Sequence, residues 1–385
     1  MKRQESSCSG FVRGMVLTLL AMTLCSARAA DAQPTAADFK TWGMETLDQI
    51  EKDFAFPTRG LYADTWKRGQ EKPGGPVFMW GGGVQLSALA VAARLEPKRY
   101  SARLRQFITA LDGYWTPGDN GIGGYDVLPV PKPLDRYYDD NLWVALALIE
   151  AFEVTHDTAY RDRAEAVFTF VLSGEDNKLD GGIYWREREK TSKNTCSNGP
   201  AVALALRLYQ VTKKSSYLDI ARRLYAWTNA HLQDTDGLYW DNIRLDGSVE
   251  KMKWSYNTAL MLRANCLFYA VTHEKKYLDE AERIARASEA HWVKADTGTI
   301  ADDGAFAHLL SEAFLALHEQ DQDPHWAEVV RRALTFVHSH LRDTDGHYSE
   351  KWQQQVTDRL DKVSLLSQAS VARAFLVASL RVEQK

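Results

Sequence analysis

Two adjacent carboxylates in the stretch YYDDNLW (residues 137–143) are the sharpest chemical signal in the sequence. Asp139 and Asp140 follow two tyrosines and precede a run rich in alanine and leucine. Paired carboxyl groups can cleave a glycosidic bond, because one protonates the leaving oxygen while the other acts on the anomeric carbon or on water. Asp is also preferred at helix starts, where the helix dipole favours an anion. The pair therefore predicts a helix start, a catalytic centre, or both.

Cleavage would require the two acids to hold different protonation states. Neighbouring residues at a helix entrance stay close, which favours direct attack by one carboxylate over a water held between distant groups. The helix dipole suits such an anion but opposes a general acid. The acid must therefore have its pKa raised by its neighbour and by desolvation, so that the two titrate as a coupled pair.

Other residues that could do chemistry stand in weaker patterns. Asp302 and Asp303 form a second acid pair without flanking aromatics, and a turn before Gly304 is the commoner explanation for them. No CxxC, HExxH or clustered histidines indicate a metal site, and we expect no metal and no cofactor. We expect His308 to be a hydrogen-bonded core residue. A Ser-His-Asp triad stays open, although no nucleophile elbow indicates one.

A repeat along the chain supplies the elements that position these residues. An aromatic residue opens an amphipathic helical stretch five times, at spacings of 60, 57, 60 and 49 residues: Tyr100, Tyr160, Tyr217, Tyr277 and Trp326. An alanine-rich stretch that is apolar nearly all round precedes each of these. One further helix at each end brings the expected count to twelve helices in six pairs.

The alternation of helix types predicts an all-α fold. Helices that are apolar all round must be buried, whereas amphipathic ones cover the outside. Six such pairs predict an (α/α)6 barrel of six inner and six outer helices, with an open solenoid as the alternative. Glycines followed by aromatics in the long connections predict small hairpins or turns. All inner helices would start at the long-connection face, where we expect Asp139 to cap its helix and point into a shared bowl.

The segments that enter the inner helices combine acids, amides and aromatic rings. Sugar rings stack on Trp and Tyr, and their hydroxyls pair with Asp and Asn, so we expect the bowl to bind carbohydrate. The substrate-binding candidates from these segments are Trp80, Tyr137 and Tyr138, and the loop DGLYWDN adds Tyr239, Trp240 and Asp241.

The first 29 residues have the pattern of a secretory signal peptide, with basic residues, an apolar run and the cleavage signal Ala-Arg-Ala. We therefore expect a secreted or periplasmic protein whose residues 30–385 form a single barrel domain. Cleavage removes four basic residues and one acid, so the net charge falls from -4 to -7.

The mature chain gives little sign of other partners. No basic stripe suggests nucleic acid, and no later segment is apolar enough for a stable membrane anchor. Cys196 and Cys266 remain, and we expect buried free thiols, with a disulfide as the alternative. We expect a monomer.

The segments YYDDNLWVALALIEAFEVTHDTAY, GGIYWRE, KNTCSNGPAVALALRLYQVT, DGLYWDN and WSYNTALMLRANCLFYAVT, in this order, resemble glycoside hydrolase family 76. That family includes bacterial endo-α-1,6-mannanases and fungal cell-wall proteins regarded as transglycosylases. The resemblance runs from about Trp42 to the C-terminus and implies the (α/α)6 fold. It also implies a retaining double displacement with Asp139 as nucleophile and Asp140 as general acid/base.

The resemblance adds further binding candidates on the polar and aromatic positions that it matches: Tyr184, Trp185, Asn198, Tyr256 and Asn257. The chain departs from the family at Tyr184, where Trp is frequent, at Thr258–Ala259, where Gln-Gly is usual, and near Asp302. These changes spare the catalytic pair but alter the lining of the bowl. They leave another α-linked glycan open as the substrate.

Two other functions remain compatible with the sequence. The same barrel could serve a sugar epimerase or an unsaturated-uronide hydrolase, and His308 is the inner-helix histidine near the functional face that an epimerase would use. The protein could also bind glycans without cleaving them, with both acids merely holding hydroxyls.

Overall fold

The computed structural model describes residues 33–56, 59–70 and 74–383, and the signal-peptide segment lies outside them. Residues 35–385 form one compact unit. Its described part contains twelve α-helices: α1 Ala36–Phe54, α2 Met79–Leu95, α3 Pro97–Leu111, α4 Tyr138–Thr155, α5 Thr158–Leu172, α6 Thr195–Thr212, α7 Ser215–Leu232, α8 Ser255–Thr272, α9 Lys275–Trp292, α10 Gly304–Asp321, α11 Pro324–His340 and α12 Leu365–Arg381.

Hydrophobic patterning divides these helices into two classes. The even-numbered helices are buried over most of their surface, as the continuous run Asn141–Ile149 of α4 illustrates. The odd-numbered helices bury a single stripe; in α9 this stripe begins with Tyr277, Ala281, Ile284 and Ala285 and continues to Ser288 and Trp292. Because that spacing returns to one helix face, the odd helices cover the even ones from outside.

The even-numbered helices form a closed inner ring. Each contacts the next in chain order, and α12 contacts α2. Only one or two residues separate each inner helix from the outer helix that follows it. Four of these links begin with a left-handed residue that ends the inner helix and reverses the chain: His156, Lys213, His273 and Gln322. The (α/α)6 barrel expected from the repeat is confirmed.

Seven short strands lie in the long connections: β1 Thr65–Lys67, β2 Trp115–Thr116, β3 Gly124–Tyr125, β4 Ser192–Asn194, β5 Asn242–Arg244, β6 Val249–Glu250 and β7 Lys362–Ser364. The pairs β2–β3 and β5–β6 are antiparallel hairpins within one connection, as expected. The pairs β4–β5 and β1–β7 instead join different connections. Strand pairing thus ties the connections together above the inner helices.

An amide clip fixes two of these connections to the inner helices. Asn198, the fourth residue of α6, accepts a hydrogen bond from the Ile183 N–H (2.8 Å) and donates to the Ile183 carbonyl (3.0 Å). Asn141, the fourth residue of α4, binds the backbone of Tyr125 in the same way. Such buried amides are fully used in holding backbone and have little capacity left for a ligand.

No helix in the described part of the chain is long and apolar enough to span a bilayer. Cys196 and Cys266 are buried free thiols, as the sequence predicted.

Candidate active site

A cavity of about 720 Å³ opens over the N-terminal ends of the inner helices. Its walls come from the long connections and from the first two turns of the inner helices below them. Seven of the residues selected from the sequence line it: Trp80, Tyr137, Asp139, Asp140, Trp185, Asp241 and Tyr256. The barrel therefore brings together side chains that are up to 176 residues apart, from Trp80 to Tyr256.

Asp139 lies in the first turn of α4, with its two oxygens in different surroundings. Its Oδ2 accepts a hydrogen bond from the Trp185 indole Nε1–H at 3.0 Å. Its Oδ1 is buried without a hydrogen-bond partner among the described residues. Burial raises the pKa of Asp139 to about 6, while hydrogen bonds from Trp185 and Cys196 hold it down. One oxygen is thus held by Trp185, and the other has unused hydrogen-bonding capacity.

The pKa of Asp140 is raised well above the usual value for Asp. Burial is the largest cause, followed by the charge of Asp139 and then by that of Asp135. Asp135 also lines the cavity and pairs with Arg186 at 2.8 Å. Since like charges in a low-dielectric site cannot all ionise together, Asp140 is the member of the pair that keeps a proton at neutral pH.

The start of α4 differs from the expectation in one respect. The N-cap residue is Tyr137, and no side chain caps this helix. The expectation that Asp139 caps its helix is therefore wrong: Asp139 is the second helical residue. Its carboxylate is held by Trp185 instead, which leaves it available to the cavity.

Backbone pairing positions the Trp185 ring beside Asp139 and Asp140. The Tyr138 N–H donates to the Trp185 carbonyl at 3.0 Å, and the Trp185 N–H donates to the Ser192 carbonyl at 3.2 Å. The indole meets the Tyr137 ring edge-on, with 4.9 Å between centroids. Upstream, Gly182 has φ +80°, and a Cβ there would lie 2.5 Å from the Trp227 ring. This close approach requires glycine at position 182.

An aromatic cluster forms the wall contributed by α2, α8 and α10. Phe306 is its centre, with ring centroids 4.4 Å from Tyr256, 5.4 Å from Trp254 and 5.8 Å from Trp80. All four rings line the cavity. Flat apolar faces next to carboxylates suit a sugar, which has an apolar ring face and hydroxyl edges.

Asp241 adds a further carboxylate to the wall. Asn257 donates to its Oδ1 at 3.2 Å, and Asn242 donates to its Oδ2 at 2.9 Å. Asn257 itself is buried and does not line the cavity. It therefore orients Asp241 rather than facing a ligand.

Five other sequence candidates also do not line the cavity: Tyr138, Tyr184, Asn198, Tyr239 and Trp240. Tyr138 is buried and stacks on Phe170. The hydroxyls of Tyr184 and Tyr239 donate to Asp176 and Asn229, and the Trp240 indole donates to Asp234. Asn198 is the clip described above. All five hold connections in place, so we do not propose them as binding residues.

The rival acid pair has a structural role. Asp302 Oδ2 accepts from the Ser255 N–H at 2.9 Å, at the start of α8. Asp303 caps α10 by accepting from the Ala305 N–H at 3.0 Å. Neither lines the cavity. His308 is buried below it, bonded to the Gly304 carbonyl, and burial lowers its pKa to about 4.

Sequence reasoning missed several residues of the site, among them Phe306, Cys196, Trp254, Asn194, Asn242 and Arg244. A positional signal was available for Cys196. Trp80, Asp139 and Tyr256 are each the second residue of their inner helices, and so is Cys196. Equivalent positions of parallel helices in a ring face the same axis, so the repeat itself points to Cys196.

Among the described residues, no group of three or more His, Cys, Asp or Glu side chains is arranged to hold a metal ion.

Known proteins share this architecture. The family model of Glycosyl hydrolase family 76 matches residues 46–383. A GH76 alpha-mannanase from Bacteroides thetaiotaomicron is 34% identical, with a TM-score of 0.84 over 89% of this chain and 95% of that one.

Two curated relatives match over shorter stretches. The Meiotically up-regulated gene 191 protein of Schizosaccharomyces pombe is 27% identical over 261 residues, which are 63% of this chain and 58% of that protein. Mannan endo-1,6-alpha-mannosidase DCW1 of Candida glabrata is 29% identical over 189 residues, 44% of this chain and 41% of that protein. The chain thus spans about two fifths to three fifths of these relatives. Since the family pattern extends over nearly the whole barrel, the chain belongs to glycosyl hydrolase family 76.

Proposed function

We propose that this protein is an exported, retaining endo-α-1,6-mannanase, with Asp139 as nucleophile and Asp140 as general acid/base. The observation that carries the proposal is the pair of unequal carboxyl groups at the start of α4, one anchored by Trp185 and the other surrounded by negative charge. The names of the relatives, an alpha-mannanase and a mannan endo-1,6-alpha-mannosidase, support α-mannan as the substrate.

In the first step, the Asp139 carboxylate attacks the anomeric carbon and forms a glycosyl ester. Asp140 donates its proton to the departing glycosidic oxygen in the same step. The two pKa directions suit these roles at neutral pH, because Asp139, with a pKa of about 6, is ionised while Asp140 keeps its proton.

In the second step, Asp140 takes a proton from water, and the resulting hydroxide displaces Asp139. Esterification removes the negative charge of Asp139, which is one of the causes of the raised pKa of Asp140. The pKa of Asp140 therefore falls in the intermediate, and the same group can act as a base. Water as acceptor gives hydrolysis, and a second glycan gives transfer.

The decisive test compares Asp139→Asn and Asp140→Asn on α-1,6-mannan. We expect each to lose roughly 10³-fold or more in kcat/KM, because each removes a group that acts in the transition state. The matched control is Asp302→Asn, which changes an acid outside the cavity. If both catalytic variants keep full activity, the site assignment is wrong.

Azide rescue on an activated α-mannoside separates the two roles. The Asp140→Asn variant can still form the glycosyl ester, so azide should give α-mannosyl azide. The Asp139→Asn variant cannot, so azide should give the β product. Identical anomers from both variants would contradict the assignment.

Product analysis separates endo-hydrolysis, transfer and simple binding. Oligosaccharides of several lengths at early times support endo action, and longer products than the substrate support transfer. Binding of α-1,6-mannan without any new product would support a non-catalytic glycan-binding protein.

Export is proposed from the signal-peptide pattern of residues 1–29. N-terminal sequencing of the protein from the periplasm or culture medium tests it, with a mature start at Ala30 as the expected result. A monomer in solution remains our expectation.

A further inference from the structure

The small sheet beside the catalytic pair turns one face towards the cavity. In its β4–β5 register, Ser192 pairs with Arg244 and Asn194 pairs with Asn242. All four line the cavity, whereas Lys193 and Ile243 between them are buried on the opposite face. Because side chains alternate along a strand, this face presents four polar side chains in two cross-strand rows.

Arg244 differs from every other described residue that lines the cavity. It is the only Lys or Arg among them, in a wall that also contains Asp135, Asp139, Asp140 and Asp241. Its side chain is exposed and forms no ion pair or side-chain hydrogen bond with any described residue that lines the cavity. The carboxylate on which its charge acts is Asp246, in the exposed turn after β5. A cation in an acid-rich cavity would ordinarily pair with one of the acids. These acids have other surroundings: Asp135 pairs with Arg186, and Asp241 is held by two amides.

The neighbouring row also has unused hydrogen-bonding capacity. Asn242 donates to Asp241 through Nδ2, but its buried Oδ1 has no partner among the described residues. Asn242 can therefore accept a hydrogen bond from a sugar hydroxyl. From Asn242 to Arg244 the strand rises by about 7 Å, roughly the span of one sugar unit. The sheet face thus leads from the catalytic acids towards the exposed guanidinium of Arg244 at the rim.

We infer that Arg244 binds an anionic substituent, a phosphate, sulfate or carboxylate group, on the glycan whose backbone occupies the catalytic cavity. This inference rests on the proposed function and specifies its substrate class as acidic mannan. A guanidinium offers a planar fork of donors that matches all three oxyanions. A neutral hexose chain has no group that requires this charge. The separation along the strand also keeps the bound anion away from the cavity carboxylates. Screening by salt further weakens the repulsion between the anion and these carboxylates.

The test measures KM for α-1,6-mannotetraose and for the same tetraose bearing one phosphate, one sulfate or one glucuronate. The quantity compared is the KM for the neutral tetraose divided by the KM for each charged tetraose. We expect a ratio of about ten for at least one anion in the wild-type protein, the size of one charge-assisted hydrogen bond. The three substituted substrates identify which oxyanion is preferred.

Arg244→Gln should bring this ratio to about one, and Arg244→Lys should give an intermediate value, because it keeps the charge but loses the fork. The matched control is Lys251→Gln. Lys251 is an exposed cation on the Trp240 ring, outside the cavity lining, and should leave the ratio unchanged. Raising the salt concentration should lower the ratio in the wild type but not in Arg244→Gln.

A wild-type ratio near one for all three anions, or a ratio that survives Arg244→Gln, would overturn the inference. Calorimetry with the double variant Asp139→Asn/Asp140→Asn separates it from the proposed function. If the charged tetraose binds more tightly in an Arg244-dependent way, while the wild type cleaves no tetraose, the proposed mannanase activity is rejected and this anion site is retained. Cleavage of the neutral tetraose without any preference would reject this site and retain the mannanase.

Discussion

The two ends of helix α4 carry buried carboxylates that behave in opposite ways. At its N-terminal end, the pKa of Asp139 is raised to about 6 and that of Asp140 is raised further. At Glu150, about 15 Å along the same helix, the pKa is lowered to about 2. Burial raises the pKa at both ends, so the counter-charge decides the direction.

An ionic network supplies that counter-charge at the short-link end. Arg373 donates to Glu150 at 2.7 and 2.9 Å and to Glu312 at 2.7 and 2.9 Å. Arg263 lies 3.6 Å from Glu150 and 3.9 Å from Glu312. At the N-terminal end, Asp139 accepts a hydrogen bond from the Trp185 indole N–H. The charges that act on Asp140 are those of Asp139 and Asp135. Paired charges suit structure, whereas unpaired ones are available for chemistry.

The largest effect that would test this comparison is the loss of the pairing arginine. Arg373→Met removes the arginine that hydrogen-bonds both Glu150 and Glu312. These carboxylates keep only the longer contacts of Arg263 and, for Glu150, the charge of Arg207, so we expect a loss of about 3–5 kcal/mol in the free energy of unfolding. Urea denaturation followed by tryptophan fluorescence measures it. Arg286→Met is the control, because Arg286 is exposed and pairs with Glu282 on the surface, where a change of at most about 0.5 kcal/mol is expected.

The pH dependence of the same network has a definite sign. Glu150 has a folded pKa of about 2, below its ordinary 4.5, so its contribution is fully present above pH 4.5. Wild-type stability should therefore fall as the pH drops from about 4.5 towards 2. A loss of less than about 1 kcal/mol in the free energy of unfolding of Arg373→Met would mean that ion pairing does not distinguish the two ends of α4.

At the N-terminal end of α4 we expect a smaller change in stability, with the opposite dependence on pH. Asp139 has a folded pKa of about 6 against 3.8, so the native state holds its proton more tightly and stability falls as the pH rises from about 4 to 6. Asp139→Asn should remove this fall and stabilise the fold at pH 7 by about 1–2 kcal/mol, less than the full shift implies because the site is partly open to water.

Thermal unfolding at pH 4 and pH 7 checks this prediction. Asp302→Asn should show no such gain, because its carboxylate binds backbone N–H groups at two helix starts. Equal stability of Asp139→Asn and wild type at both pH values would contradict a raised pKa of Asp139 in the folded state.

The smallest expected effect concerns the indole hydrogen bond that Trp185 donates to Asp139. Trp185→Phe keeps an aromatic ring but removes the indole hydrogen bond, which lowers the pKa of Asp139. The acid limb of the kcat/KM profile should therefore move to higher pH by on the order of one unit. Tyr137→Phe, which alters the ring packed against Trp185 without removing that bond, should leave the acid limb in place.

A shift of the acid limb in Tyr137→Phe as large as in Trp185→Phe would show that ring packing, and not the hydrogen bond, sets the pKa of Asp139.

The sequence by itself determined the helices and their arrangement. The recurring aromatic anchors and the two hydrophobic patterns predicted twelve helices in an (α/α)6 barrel, because burial on all sides and burial of one stripe leave different sequence periods. The same repeat placed Asp139, Asp140, Trp80 and Tyr256 at one end of the barrel. These are properties of local sequence.

Which polar and aromatic residues face the cavity was decided only by the tertiary structure. Asn198, Tyr184 and Tyr239 have the residue types of a sugar site, yet their polar groups hold the connections. Phe306 and Arg244 have no sequence motif of their own, yet both line the cavity. The reason is geometric. Successive side chains on a helix point about 100° apart, so a shift of one position moves a side chain from the barrel axis to a neighbouring connection. Only the assembled ring and the paired strands fix that rotation for every segment at once.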